Sequence, residues 1–348
     1  MRKQGFHISF LFCLLPVMLM SCIVAQNAQA QKKLVVDPTG KGDFRTIQGA
    51  INSLSDSADV VRVIFIKNGT YNEKIYLEKH NIILEGENRE KTIITQAIAR
   101  DEWRCQHNDD WGVATVNIDG NDITLKNLTI TNDFGFKRKD DDTHTVLCRT
   151  DTARQMKTIN RFGHQMALRS FKATRLRAIN CHFRAFAGDT VSPWNTVDGM
   201  FYFRDCIMEG GVDFYCPRGY AWAENCKFYA HTGVASIWHD GSGNQDHKTV
   251  LVNCSFDGFE NFKLGRFHRE AQFFLVDCKF SERMANEDIY HAASGVPLKW
   301  GRRVYYSGCD REGGNYAWFA DNIEKSGVAH SEITVQWLFK NQWQPQLN

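Results

Sequence analysis

Asn180-Cys181-His182-Phe183, Asp205-Cys206-Ile207-Met208, Asn225-Cys226-Lys227-Phe228, Asn253-Cys254-Ser255-Phe256 and Asp277-Cys278-Lys279-Phe280 are five versions of one local pattern. Their cysteines lie 25, 20, 28 and 24 residues apart. An earlier version, Asn127-Leu128-Thr129-Ile130, has leucine in the cysteine position. The position therefore asks for a compact apolar side chain that packs, not for a thiol that reacts. Short alternating runs surround the copies, among them Ile123-Thr124-Leu125-Lys126 and Val250-Leu251-Val252. Alternation with period two marks a half-buried strand, and recurrence at this interval marks a solenoid. The expected fold is an all-β parallel β-helix. Successive coils should stack about 4.8 Å apart, with interior ladders of Cys, Phe and Ile and with Asn or Asp at the corners.

Outward from the repeat, both flanks fit a solenoid. A short N-terminal capping helix is expected over Phe44 to Ile51, with Asp43 as its N-cap and Ile47, Ala50, Ile51 and Leu54 on one face to close the open end. Strands should follow at Val60 to Ile66 and Ile82 to Glu85. The stretch 136–163 breaks the period and sets Lys137-Arg138-Lys139 beside Asp140-Asp141-Asp142. It reads as a long loop, either a substrate lid or surface decoration.

Composition agrees. Of 348 residues 43% are hydrophobic, enough for a sizeable core, and 26 glycines with only 6 prolines suit many tight corners. Lys+Arg 42 against Asp+Glu 40 gives a formal +2, which supplies no footprint for nucleic acid. Arg2 and Lys3 precede an apolar run from Ile8 to Met20 that ends in small and polar residues, so 1–30 is expected to be a secretory signal. Cleavage fits either Ala28-Gln29-Ala30 or a lipobox-like Leu19-Met20-Ser21-Cys22, which would leave a lipoprotein anchored through Cys22. Residues 31–348 would then be one exported domain, secreted or periplasmic, with no membrane span. Removing Cys13 and Cys22 from the 11 cysteines leaves an odd number, and no Cys-x-x-Cys pair is present. Mostly free, buried thiols, no metal site and no cofactor are expected.

Gln165, Asp189 and Asp213 are separated by 24 and 24 residues, one coil each, so they can share a face. Two carboxyls on neighbouring coils do not readily ionise together. One should keep its proton near neutrality while the other stays charged, giving an acid and a nucleophile, and an amide nearby would suit an oxyanion. The plainer reading is that each Asp is a corner residue.

At these residues the chain resembles a known family, the pectin methylesterases or pectinesterases. Gly42-Asp43-Phe44-Arg45-Thr46-Ile47-Gln48, Gly69-Thr70-Tyr71-Asn72-Glu73, Leu84-Glu85-Gly86 and Thr92-Ile93-Ile94 look like its opening signatures. Gln165-Met166-Ala167-Leu168 resembles its Gln-Ala-Val-Ala-Leu, Gly188-Asp189-Thr190 its Gln-Asp-Thr, Gly211-Val212-Asp213-Phe214 its Val-Asp-Phe-Ile-Phe-Gly, and Leu264-Gly265-Arg266 its Leu-Gly-Arg-Pro-Trp. The resemblance implies a right-handed parallel β-helix that hydrolyses galacturonate methyl esters in pectin, releasing methanol without a metal, as a monomer. It implies Asp213 as nucleophile, Asp189 as proton donor and later base, Gln165 as oxyanion stabiliser, and Arg266 as the cation that keeps Asp213 ionised.

Departures from the family pattern bear on the substrate. The second family glutamine is Gly188 here, His268 stands where a tryptophan is expected, and the nucleophile segment ends Tyr215-Cys216-Pro217-Arg218. A methylated uronate in a branched pectic region is then as reasonable as plain homogalacturonan. Arg266, His268, Trp238 and Arg218 are the candidate substrate-binding residues. Trp194, Trp222 and Trp300 are further groove candidates, Trp103 to Trp111, just before the Ala114-Thr115 strand, is a candidate rim, and Arg154 and Arg161 are candidate partners for uronate carboxylates. Two other classes compete: a pectic-polysaccharide-binding β-helix without turnover, and a polysaccharide lyase on the same architecture.

Overall fold

The computed structural model describes residues 33–346 apart from 57–58, 151–154, 240, 242 and 294. The expected signal segment, Cys22 and Arg154 lie outside the described residues. The chain winds into parallel coils with three faces, as the cysteine period predicts. One face is a ten-stranded parallel sheet that begins at Leu34–Val36 and ends at Arg303–Ser307. The second has nine parallel strands, from Gly69–Tyr71 to Asp310–Arg311. The third is broken. Ile75–Leu77, Ala114–Ile118, Met166–Ser170 and Val191–Ser192 form one piece, and Ala235–His239, Lys263–Phe267 and Tyr290–His291 form the other. Tyr215 joins them by bridging to both Val191 and Ile237.

The repeated Asn-Cys pair makes the corner between the first two faces. Asn127, Asn180, Asp205, Asn225, Asn253 and Asp277 all adopt left-handed backbone, with φ between 50° and 56°. Asn and Asp tolerate that conformation better than other residues with a Cβ, so the chain turns in one residue. Amides at the corners also stack: Asn180 Nδ2 donates to Asn127 Oδ1 at 2.8 Å, and Asn253 Nδ2 to Asn225 Oδ1 at 2.7 Å. The next residue points inward, where among the described residues seven free cysteines, the five of the repeat plus Cys216 and Cys309, are buried. Their thiols face backbone carbonyls of the preceding coil, Cys206 to Ala178 and Cys254 to Ala223, both at 3.5 Å. Beside them Phe228 stacks on Phe256 with centroids 4.6 Å apart, and Phe256 meets Phe280 at 5.7 Å. The expectation of mostly free thiols holds for this column, while Cys105 and Cys148 are joined in a disulfide.

Three expectations change in detail. The capping helix is Ile47–Ser53 and its N-cap is Thr46, whose hydroxyl accepts from Gly49 N; Asp43 instead accepts from Val35 N at 2.9 Å. Glu73 takes the free N–H groups of Ile47 and Gln48, both at 3.0 Å, at the positive end of the helix. The buried residues Ile47, Ala50 and Ile51 are those expected. Second, the region 136–163 contains an antiparallel hairpin, Thr143–Leu147 with Met156–Asn160, and the disulfide ties it to the short helix Arg100–Arg104 region. Third, the C-terminal segment is a cover: Ile323, Val335 and Leu338 pack on Tyr202, Trp222 and Phe274 outside the ten-stranded face. Trp222 is therefore core, with its indole N–H on Glu224 at 2.7 Å, and is no part of a sugar groove. Among the described residues no helix is long and apolar enough to cross a membrane.

Candidate active site

Where the third face breaks, a cavity of about 340 Å³ opens, and Asp189, Asp213, Arg218, Trp238, Arg266 and His268 stand on its wall. Asp189 and Asp213 occupy equivalent places on successive coils, because the preceding residues Gly188 and Val212 bridge in parallel register. Both are in left-handed backbone, with φ of 59° and 49°. That strain is held by backbone bonds from Asp189 N to Val212 O at 3.3 Å and from Asp213 N to Ala235 O at 2.6 Å. The one-coil spacing read from the sequence thus brings both carboxyls to one side of the solenoid.

Arg266, on the strand Lys263–Phe267, forks onto Asp213: Nε to Oδ1 at 2.9 Å and Nη2 to Oδ2 at 2.6 Å. A two-pronged contact needs two acceptor oxygens, so the geometry is that of a carboxylate. Burial lifts the Asp213 pKa above its ordinary value, the Arg266 fork opposes the lift, and the guanidinium is itself held more firmly protonated. Asp189 behaves in the opposite sense. Burial would raise it, but His164 and the Arg169 and Arg218 guanidiniums outweigh burial and leave it below its ordinary value. The carboxyl expected to keep its proton is therefore the one that gives it up more readily.

Gln165 is the expected residue that the structure does not bring to the cavity. It is fully buried, its Oε1 accepts from Gly135 N at 2.9 Å, and its amide donates to the carbonyls of Arg161 and Gly163. It fastens together the two ends of the 136–163 segment. The reason is register. Counted back from Ala167-Leu168, a five-residue Gln-Ala-Val-Ala-Leu segment begins at position 164, and a shift of one residue turns a strand side chain to the opposite face. His164 is what points into the cavity, with Nδ1 3.2 Å from Asp189 Oδ2 and a side chain 46% exposed.

Two further wall residues escaped the sequence reading. Arg169 is buried, bonds Ser192 Oγ through Nη1 at 2.6 Å, and lies 4.5 Å from the Trp194 ring centroid. Arg100 is fixed by a forked contact with Asp110, which also faces the cavity. Nothing in their spacing marked either one, since they come from a helix and a strand that converge only through the coils. Of the expected substrate residues, Arg218 is buried with its guanidinium 3.9 Å from the Trp194 centroid and 4.6 Å from that of Trp238. His268 meets Trp238 edge to face at 5.4 Å. Trp300 sits apart from the cavity, beside Arg303 and Glu270. Arg161 lies over Phe186 and pairs with Asp140, and Trp103 stacks on His107, so neither lines this wall.

Comparison with known proteins agrees with the motifs. The family model described as Pectinesterase matches residues 33–168. Probable pectinesterase 8 of Arabidopsis thaliana is 25% identical over 249 residues, covering 68% of this chain and 56% of the relative. Pectinesterase A of Dickeya chrysanthemi is 35% identical over 116 residues, 32% of this chain and 31% of the relative. The chain thus spans between a little under a third and a little over half of the length of these curated relatives. Among solved structures, a pectin methylesterase in complex with a hexasaccharide superposes with a TM-score of 0.70 at 20% identity, covering 92% of this chain and all of the other. The pectin methylesterase from Erwinia chrysanthemi gives 0.69 at 20% identity, covering 91% and 99%. The resemblance to the pectinesterases and the right-handed parallel β-helix are both shown.

Proposed function

We propose that this chain, a relative of the pectinesterases, is an exported carboxylic ester hydrolase that removes methyl groups from galacturonate or related uronate residues of pectic polysaccharide. The observation that carries the reading is the forked Arg266–Asp213 pair one coil from Asp189, all three opening on one cavity. A carboxylate held by a guanidinium stays ionised and aimed, as a nucleophile on an ester carbonyl must be. Asp213 adds to the carbonyl carbon, methanol departs with a proton from the Asp189 side of the site, and water then cleaves the acyl-enzyme.

Negative charge that grows on the carbonyl oxygen lies in the field of the buried Arg169 and Arg218 guanidiniums, the charges that also depress Asp189. This field stands in for the Gln165 amide, which is committed to the backbone of the 136–163 segment. Trp194, Trp238 and His268 give the cavity flat surfaces for pyranose rings, and Arg218 a cation for uronate charge. The changed wall, with His268 at a position where the motif has tryptophan, keeps a methylated uronate of a branched pectic region beside plain homogalacturonan as the substrate.

Methanol release from methylated homogalacturonan and from branched methylated pectic fragments tests the proposal. Wild-type protein should release methanol from at least one of them, and Asp213→Ala should lower the rate by about a thousandfold or more. Release at the uncatalysed rate would leave a polysaccharide-binding β-helix, and unsaturated sugar products would indicate a lyase.

A further inference from the structure

Gly188 and His164 compete for one space. A Cβ on residue 188 would lie 3.0 Å from His164 Nδ1 and also 3.0 Å from Val212 Cγ1, closer than side chains ordinarily approach. Without it the imidazole reaches down to Asp189, 3.2 Å away, while 46% of its surface stays open to the cavity. Behind it Asp189 is buried, and the carboxylate's other oxygen faces the Cys216 thiol at 3.8 Å. The order from core to solvent is thus thiol, carboxylate, imidazole, cavity. With Nδ1 turned to Asp189, Nε2 is the nitrogen left for the substrate. The charged groups facing the ring are Asp189, Arg100 with its partner Asp110, and Asp213 with its partner Arg266.

Resting on the ester-hydrolase reading, we propose that His164 is a further catalytic residue: it carries the proton that moves during turnover, and Asp189 holds it in place as a permanent carboxylate. The bond and charge of Asp189 raise the imidazole pKa above its ordinary value against the opposing effect of burial, and Arg100 counters in part. In acylation an Asp213 oxygen bonds to the ester carbon, the tetrahedral intermediate expels the methoxy oxygen, and the Nε2 proton goes to that oxygen. Methanol leaves, the acyl group stays on Asp213 as an anhydride, and His164 is neutral. In deacylation His164 takes a proton from water as the water oxygen bonds to the acyl carbon and the bond to Asp213 breaks. The uronic acid then ionises to solvent, so one ester and one water yield methanol, a carboxylate and a proton.

Acylation needs the imidazolium, so wild-type kcat/KM should fall as pH rises through the His164 pKa. In His164→Gln that alkaline limb should disappear, with kcat lowered about a hundredfold and KM within about twofold. A kcat/KM profile of His164→Gln that overlays the wild-type profile would overturn the proposal. A second measurement does not depend on turnover: NMR titration of the His164 ring in wild type and Asp189→Asn. The asparagine should lower the imidazole pKa, and an identical titration would overturn the pairing. A wild-type chain that releases no methanol sinks the hydrolase reading instead, and the titration still decides whether the pair exists.

Discussion

A guanidinium that forks onto a carboxylate does something an ammonium does not, and Arg266 is where this matters for the site. Its Nε and Nη2 each meet a different oxygen of Asp213, which fixes the orientation of the attacking group as well as its charge. Arg266→Lys keeps the charge and loses the fork. Methanol release by this variant should fall about ten- to a hundredfold in kcat at unchanged folding stability; an unchanged kcat would reduce Arg266 to an ordinary ion pair. The residue scale is also where sequence reading slipped. Asp189 and Asp213 were legible because a repeat places equal positions on one face, and Arg266 because Leu264-Gly265-Arg266 resembles a family motif. Gln165 was not, because in the segment that leads into the strand Met166–Ser170 it turns inward while its neighbour His164 turns to the cavity, and the motif fixed the segment only to within one residue.

Each coil depends on its corner, and the corner depends on an amide that tolerates left-handed backbone. Asn225 has φ of 54° and its Oδ1 receives the Asn253 amide at 2.7 Å. Asn225→Ala adds strain and leaves that donor without its partner, so the urea midpoint should drop by an amount equal to about 1–3 kcal/mol. Asn225→Gly removes the bond but accepts the backbone, and its loss should be smaller. Equal losses in the two variants would show that backbone strain contributes nothing at this corner. The capping helix shows the limit of such local reasoning. Its apolar face was readable from spacing, yet its N-cap fell to Thr46 because Asp43 is drawn to Val35 on the first strand, a partner that exists only once the chain has folded.

Across the whole solenoid, charge also binds coils to one another. On the outside of the nine-stranded face Glu209 receives His182, Arg184 and His231, which come from the coil before it and the coil after it. Burial would raise the Glu209 pKa, but the bonds from His182 and His231 and the charge of Arg184 outweigh it and hold the carboxyl well below the usual range. A carboxyl depressed in this way stabilises the fold above its unfolded pKa, near ~4.3, and the contribution drains away as pH falls below that toward the folded value. Glu209→Gln should therefore lower stability by roughly 2 kcal/mol at neutral pH, measured by urea unfolding, with the gap to wild type closing below about pH 4. A gap that stays constant into acid would show that the carboxylate charge is not what holds the coils.

The amino-acid sequence determined the repeat, the inward cysteine and phenylalanine columns, the Asn and Asp corners and the pairing of two acids at one coil's distance. Each is periodic, and stacking turns a period along the chain directly into adjacency in space. Which nitrogen faces Asp189, which arginines crowd the cavity, where the 136–163 segment is fastened and which tryptophans are buried were decided only by tertiary structure. Those facts come from elements far apart in the chain that meet at the break in the third face, where the period lapses and no spacing along the chain encodes the distance between side chains.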